Sequence, residues 1–126
     1  LSVTHGSAHS RVRANVDSTL VGKRVAAVPR TMSTVTARWR PAAGWQGTVA
    51  WRKIGDWAVD AANADTYPGY QRWDLGLSYA FPGRMPITVH AMIDNVTNRR
   101  YATSVNTVGY APGAPRMIRI GAQLGF

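Results

Sequence analysis

The chain has 126 residues, enough for one domain with its own core, and no cysteine, which excludes disulfides and thiolate metal sites. Its net charge is +9, from 15 Lys+Arg against 6 Asp+Glu, and thirteen of those cations are arginine. No run approaches the ~18 apolar residues of a spanning helix, which excludes a helical membrane protein but not a barrel, whose strands alternate.

Six strands are expected, in chain order. Leu1 to Val12 is the first. Thr31 to Arg40 puts Val35, Ala37 and Trp39 on one face and Thr34, Thr36, Arg38 and Arg40 on the other. Trp45 to Lys53 sets Trp45, Val49 and Trp51 against Gln46, Thr48 and Arg52. Tyr70 to Phe81 alternates most clearly, with Trp73, Leu75, Leu77, Tyr79 and Phe81 opposite Arg72, Asp74, Gly76, Ser78 and Ala80. Ile87 to Asn95 sets Ile87, Val89, Ala91 and Ile93 against Thr88, His90, Met92 and Asp94. Pro115 to Phe126 carries Ile118, Ile120, Ala122, Leu124 and Phe126 on its apolar face and stops on an aromatic.

The connections alternate in length. Pro41 to Gly44 and Pro82 to Pro86 are short turns, whereas residues 13–30, 56–69 and 95–114 are long and polar. A transmembrane barrel with short inner turns and long outer loops has this rhythm. The aromatics sort by end in the same way. Trp39, Trp45, Tyr79 and Phe81 fall beside the short turns, and Trp51, Trp57, Tyr67, Tyr70 and Trp73 fall towards the long loops. Two aromatic girdles around aliphatic strand centres describe a lipid-facing wall. The fold class expected is all-β, an antiparallel up-and-down meander of about six strands within a larger barrel.

Nucleic acid is the usual partner of a basic chain, but here the cations are scattered singly, with no DNA-binding or RNA-binding motif beside them. Arginine facing an aqueous lumen, or anionic lipid and lipopolysaccharide at the rim, accounts for the charge. Catalysis is not expected either, since no Ser/His/Asp set or carboxylate pair is present. His5, His9 and His90 have no acid-rich cluster around them, and Asp56, Asp60 and Asp65 lack the spacing of a calcium loop. No cofactor and no metal are expected.

Several patches then resemble the C-terminal part of a TonB-dependent outer-membrane receptor. They are Gly22-Lys-Arg-Val-Ala-Ala-Val-Pro-Arg30, Asn63 with Tyr67-Pro-Gly-Tyr-Gln-Arg-Trp-Asp-Leu-Gly-Leu-Ser-Tyr79, Asp94-Asn-Val-Thr-Asn-Arg-Arg-Tyr101, and Tyr110-Ala-Pro-Gly-Ala-Pro-Arg116. Their order and spacing run over essentially the whole chain. The resemblance implies residues 1–126 of a 22-stranded plugged barrel, with the plug and earlier strands upstream. It implies import of a ferric siderophore or similar scarce nutrient across a Gram-negative outer membrane, coupled to TonB. Tyr79, Ile118, Ile120, Leu124 and Phe126 resemble the signal read by the outer-membrane assembly machinery. The chain starts at Leu1 without a leader, as a mature product or fragment would, and alone it is expected to aggregate, oligomerise or close on itself in a non-native way through its open edges.

For the outer loops two readings stand side by side. In one, Asn95 and Asn98 shape a turn and Tyr101 anchors it at the membrane interface. In the other, Arg99, Arg100, Tyr110, Trp57 and Tyr67 contact an anionic, aromatic ligand, since arginine pairs with carboxylate and stacks on rings. The alternatives to a receptor are another outer-membrane barrel, a porin or autotransporter pore, and a soluble basic β-domain binding nucleic acid.

Overall fold

A computed structural model describes residues 2–83 and 86–125. It contains ten strands: β1 (Ser2–Ser7), β2 (Thr31–Trp39), β3 (Trp45–Ile54), β4 (Trp57–Ala58), β5 (Thr66–Tyr67), β6 (Tyr70–Phe81), β7 (Ile87–Asp94), β8 (Ala102–Asn106), β9 (Gly109–Pro112) and β10 (Met117–Leu124). Six of them form one antiparallel sheet in the order β1-β2-β3-β6-β7-β10. These are the six strands read from periodicity, with ends shifted by a few residues. The assembly-signal residues Tyr79, Ile118, Ile120 and Leu124 lie in β6 and β10, while Phe126 and the turn residues Arg84 and Met85 lie outside the described residues.

The long connections contain structure that alternation does not reveal. Residues 56–69 carry the short hairpin β4–β5, and residues 95–114 carry the hairpin β8–β9. All three long connections leave the sheet at one end, and both short turns at the other.

Register separates two faces. On one, Val3, Val35, Trp51 and Trp73 form a row, followed by Ala37, Val49, Leu75, Ile93 and Ile118, and then Trp39, Gly47, Leu77, Ala91 and Ile120. Among the described residues nothing covers this face: Leu77 is 46% exposed and Ile120 77%. A sheet folded in water would bury such a row against a second layer. The other face carries Arg38, Arg40, Gln46, Thr48, Asp74, Ser78, His90 and Asp94 around an open trough. There Asp74 pairs with Arg72 (3.0 Å) and Asp94 with Arg119 (2.6 Å). Apolar outside and polar inside is the arrangement of a barrel wall with an aqueous lumen.

The short-turn end of the apolar face is aromatic. Trp45 lies 4.7 Å from Tyr79, and Tyr79 meets Phe81 edge-on at 4.6 Å. Trp39 lies flat over Gly47, where a Cβ would enter its indole ring. At the other end Trp51 and Trp73 stand 6.2 Å apart. From Phe81 to Trp73 the strand rises ~27 Å at ~3.4 Å per residue. A tilt of ~40° reduces this to roughly 21 Å, near the roughly 25 Å apolar band of outer-membrane barrels.

The buried apolar core of the described residues is not in the sheet. It consists of Trp57, Ala58, Tyr101 and Ala102, with the buried polar residue Asn95 beside them, at the long-loop end.

Candidate ligand-facing site at the loop end

The three long connections are laced together rather than splayed. Asn63, in the left-handed region at φ 58°, accepts from the Arg24 amide (2.7 Å) and donates to the Arg24 carbonyl (3.0 Å). That pair of bonds mimics a strand pairing between the first and second loops. The Arg24 guanidinium also reaches Asp56 (2.9 Å), and Arg30 approaches the same carboxylate at 3.6 Å. The Ala27 amide donates to the Ala58 carbonyl at 2.9 Å. The Val-Pro patch of residues 28–29 is thus the stretch where the first loop settles onto the second before β2 begins.

Asn95 is the hub of the third loop. It is fully buried at φ 51°. Its amide N–H donates to Asp74 on β6 (2.9 Å), and its side chain accepts from the Arg99 amide (2.9 Å). The same side chain donates to the carbonyls of Arg99 (2.9 Å) and Ala114 (3.1 Å). Asn98, at φ 49°, accepts from the Arg116 amide at 3.0 Å. The two asparagines supply both the left-handed turns and the bonds that close the loop. They shape the turn as expected. Tyr101 does not sit at the membrane interface. Its ring stacks on Tyr70 on the lumen side (4.2 Å, 28°), and its hydroxyl accepts from Arg72 at 3.2 Å. The expectation failed because an aromatic beside a loop serves equally well in a lipid girdle or a buried stack, and only register tells which.

The proposed ligand residues divide by position. Trp57 is 2% exposed and packs on Tyr67 at 4.6 Å. The Tyr67 hydroxyl accepts from the Ala102 amide (2.9 Å) and so ties the second loop to the third. Tyr110 projects from β9 with 72% of its surface exposed. Arg100 is exposed on the segment leading into β8. Arg99 lies in a shallow cleft at the rim of the wall with Lys53, Ile54, Tyr70 and Gln71. The structure thus joins Trp57 to Tyr67, and neither lines the cleft that Arg99 borders.

A second cleft opens beneath the collar, lined by Ala27, Pro29, Met32, Ile54, Trp57, Tyr70, Thr103 and Ser104. Met32, Ile54 and Tyr70 share a face with Arg52 and Arg72, the lumen side, by register. The indole Nε1 of Trp57 and Nε of Arg72 are buried with no hydrogen-bond partner. Sequence reading missed this cleft because its residues come from the first loop and from β2, β3, β4, β6 and β8. Only the alternation of β2, β3 and β6 hints at the three that share a face. Among the described residues no group of three metal-ligating side chains occurs, and no helix is long and apolar enough to cross a membrane.

The family described as TonB dependent receptor-like, beta-barrel matches residues 2–96. Solved structures share the fold. The ferric preacinetobactin receptor of Acinetobacter baumannii is 23% identical with a TM-score of 0.81, over 89% of this chain and 17% of that one. A siderophore receptor of the same organism is 19% identical with a TM-score of 0.74, over 83% and 15%. The ferric citrate transporter in its unliganded form is 17% identical with a TM-score of 0.77, over 91% and 19%. This chain therefore spans less than a fifth of the length of these structures. No curated protein matches it.

Proposed function

Because this chain belongs to the TonB-dependent receptor β-barrel family, we propose that it is the C-terminal wall of a receptor that imports a ferric siderophore or a similar scarce nutrient. The observation that carries this reading is the two-faced sheet. An uncovered apolar face, aromatic at both ends, backs a polar face bearing Arg38, Arg40, His90 and two ion pairs. A porin or autotransporter wall would share the two faces, but the family match favours the receptor.

In this reading the protein resides in the outer membrane of a Gram-negative bacterium. The plug, the earlier strands and the segment that meets TonB belong to the rest of the polypeptide. Lipid and lipopolysaccharide face the apolar wall, and the assembly machinery reads Tyr79, Ile118, Ile120, Leu124 and Phe126. The wall performs no catalysis and holds no cofactor; it shapes the lumen and part of the vestibule. Ligand contact from this segment falls to Arg100 and Tyr110, which are exposed, over a collar that Trp57 and Tyr67 hold in place.

The test uses the whole receptor purified in detergent and titrated with ferric siderophores of catecholate, hydroxamate and citrate type. Binding of one class, weakened about tenfold or more by Arg100→Ala with Tyr110→Ala, supports the reading. Alanine at Arg99, Arg100, Tyr110, Trp57 and Tyr67 together with unchanged affinity removes these loops from the ligand site. A receptor that binds none of the classes removes the substrate assignment.

A further inference from the structure

We propose that the three long loops form one cooperative unit, which parts from the wall as a whole rather than as three separate flaps. The collar has a core of its own. Trp57, Ala58, Tyr101 and Ala102 are the buried apolar residues of the described chain, and all four come from the second and third loops. The six-stranded sheet contributes none of them. Loops that share a core open together, because lifting either one exposes it. The bonds between the loops act the same way. Asn63 accepts from the Arg24 amide and donates to the Arg24 carbonyl, and Asp56 takes the Arg24 guanidinium. The Tyr67 hydroxyl accepts from the Ala102 amide, and the Tyr67 ring packs on the core residue Trp57. The first loop thus cannot lift from the second, nor the second from the third, without breaking such a link.

The seam between collar and wall is packed differently. A cleft of about 320 Å³ lies there, between Met32, Ile54 and Tyr70 of the strands and Pro29, Trp57 and Ser104 of the loops. Trp57 lines it, yet its indole N–H is buried without an acceptor. The closed position carries the cost of that unmade bond, and opening to water relieves it. Three bonds fasten the third loop to β6. The Asn95 amide donates to Asp74, the Val96 amide to the Trp73 carbonyl (2.8 Å), and Arg72 to the Tyr101 hydroxyl. Strand β6 is therefore the hinge, and the cleft side is where the unit lifts. On the receptor reading above, lifting carries Arg100 and Tyr110 away from the vestibule together.

Amide hydrogen exchange of the whole receptor in detergent, without ligand, provides the test. Three amides report on the three loops, and none of them bonds Asn63 or Tyr67. They are Ala27, donating to Ala58, Val59, donating to Asp65, and Gly113, donating to Tyr101. In the wild type the three should share one opening, with protection factors within about threefold of each other and one urea dependence. Tyr67→Phe cuts the link between the second and third loops and should lower all three about fivefold, the worth of one hydrogen bond. Asn63→Gly keeps the left-handed turn and cuts both bonds to Arg24, so it should lower all three about 25-fold. Amides at the centres of β3 and β6 should keep their protection in both variants. Wild-type protection factors more than about tenfold apart would mean three flaps and overturn the unit. So would a Tyr67→Phe variant that leaves Ala27 unchanged, or an Asn63→Gly variant that leaves Gly113 unchanged. A loss of equal size at the strand centres would mean that the barrel opens as one piece and would overturn the seam. The wild-type comparison needs no substitution, so it decides the matter even where a variant fails to fold. No ligand is used, so the substrate assignment falls separately, if no siderophore class binds.

Discussion

Tyr101 and Tyr70 stack at 4.2 Å on the lumen side, and that stack joins the third long loop to the start of β6. Arg72 anchors it from below, donating to the Tyr101 hydroxyl and pairing with Asp74. Gly113 closes it from the other side, because a Cβ there would enter the Tyr101 ring. Gly113→Ala should therefore force the ring off Tyr70 and destabilise the loop by about 1–3 kcal/mol, the usual cost of overpacking. Tyr101→Phe keeps the stack and loses one hydrogen bond, about 1 kcal/mol. Hydrogen exchange of the β8–β9 amides should rank the two in that order. Equal protection in both variants would show that the stack does not hold the loop.

Asn95 should be the most sensitive position of the collar. Asn95→Ala removes three side-chain hydrogen bonds, to the Arg99 amide and to the carbonyls of Arg99 and Ala114, at about 1 kcal/mol each. It also puts alanine at φ 51°. Asn95→Gly relieves the backbone strain but restores none of the bonds, so it should fall between alanine and wild type. Thermal unfolding of the detergent-solubilised receptor measures the series. If glycine proves as stable as wild type, the bonds contribute nothing and backbone conformation alone explains the residue.

How far the sequence could be read follows from what each part is made of. The wall was legible because alternation in Tyr70 to Phe81 and its neighbours reports directly on two environments, lipid and lumen. The collar was not. Trp57-Ala58 and Thr66-Tyr67 pair over two residues each, too few for any period to show. Tyr70 lay among aromatics expected in the outer girdle, yet register turns it to the lumen, leaving Trp51 and Trp73 as the girdle. Asn95 and Asn98 were legible as turn residues, but their partners at Ala114 and Arg116 lie nearly twenty residues away. Arg99 and Arg100 are adjacent and looked alike. Only the cleft shared with Lys53 and Gln71 distinguishes the first.

The second loop should open in acid. Asp60 accepts the amides of Asp65 (2.9 Å) and Ala64 (3.1 Å), and those bonds hold its carboxyl below the ordinary range. A carboxylate whose pKa is lower folded than unfolded stabilises the fold above its unfolded value. That contribution fades as pH falls through the folded value. Exchange protection of the Ala64 and Asp65 amides, corrected for intrinsic rates, should be constant at neutral pH and decline below about pH 4. Asp60→Asn should flatten the profile. A decline that persists in Asp60→Asn would place the titrating group elsewhere.

The sharpest test of the wall is a pair of neighbouring substitutions on β3. Val49 sits mid-strand on the uncovered face, beside Ala37 and Leu75. Thr48, one residue earlier, points to the trough with Arg38, Asp74 and Asp94. Arginine at the midplane of a lipid-facing wall costs about 2–4 kcal/mol. The same side chain in an aqueous lumen keeps its hydration and can meet a carboxylate. Val49→Arg should thus lower barrel stability in lipid vesicles by that amount, while Thr48→Arg should change it by less than about 1 kcal/mol. Chemical denaturation from vesicles, followed by tryptophan fluorescence, gives both numbers. Equal costs at the two sites would mean that the faces are not in different solvents, and the barrel reading would fall. The opposite order would mean that the sheet is inside out, with its apolar face packed on protein and its arginines in the membrane.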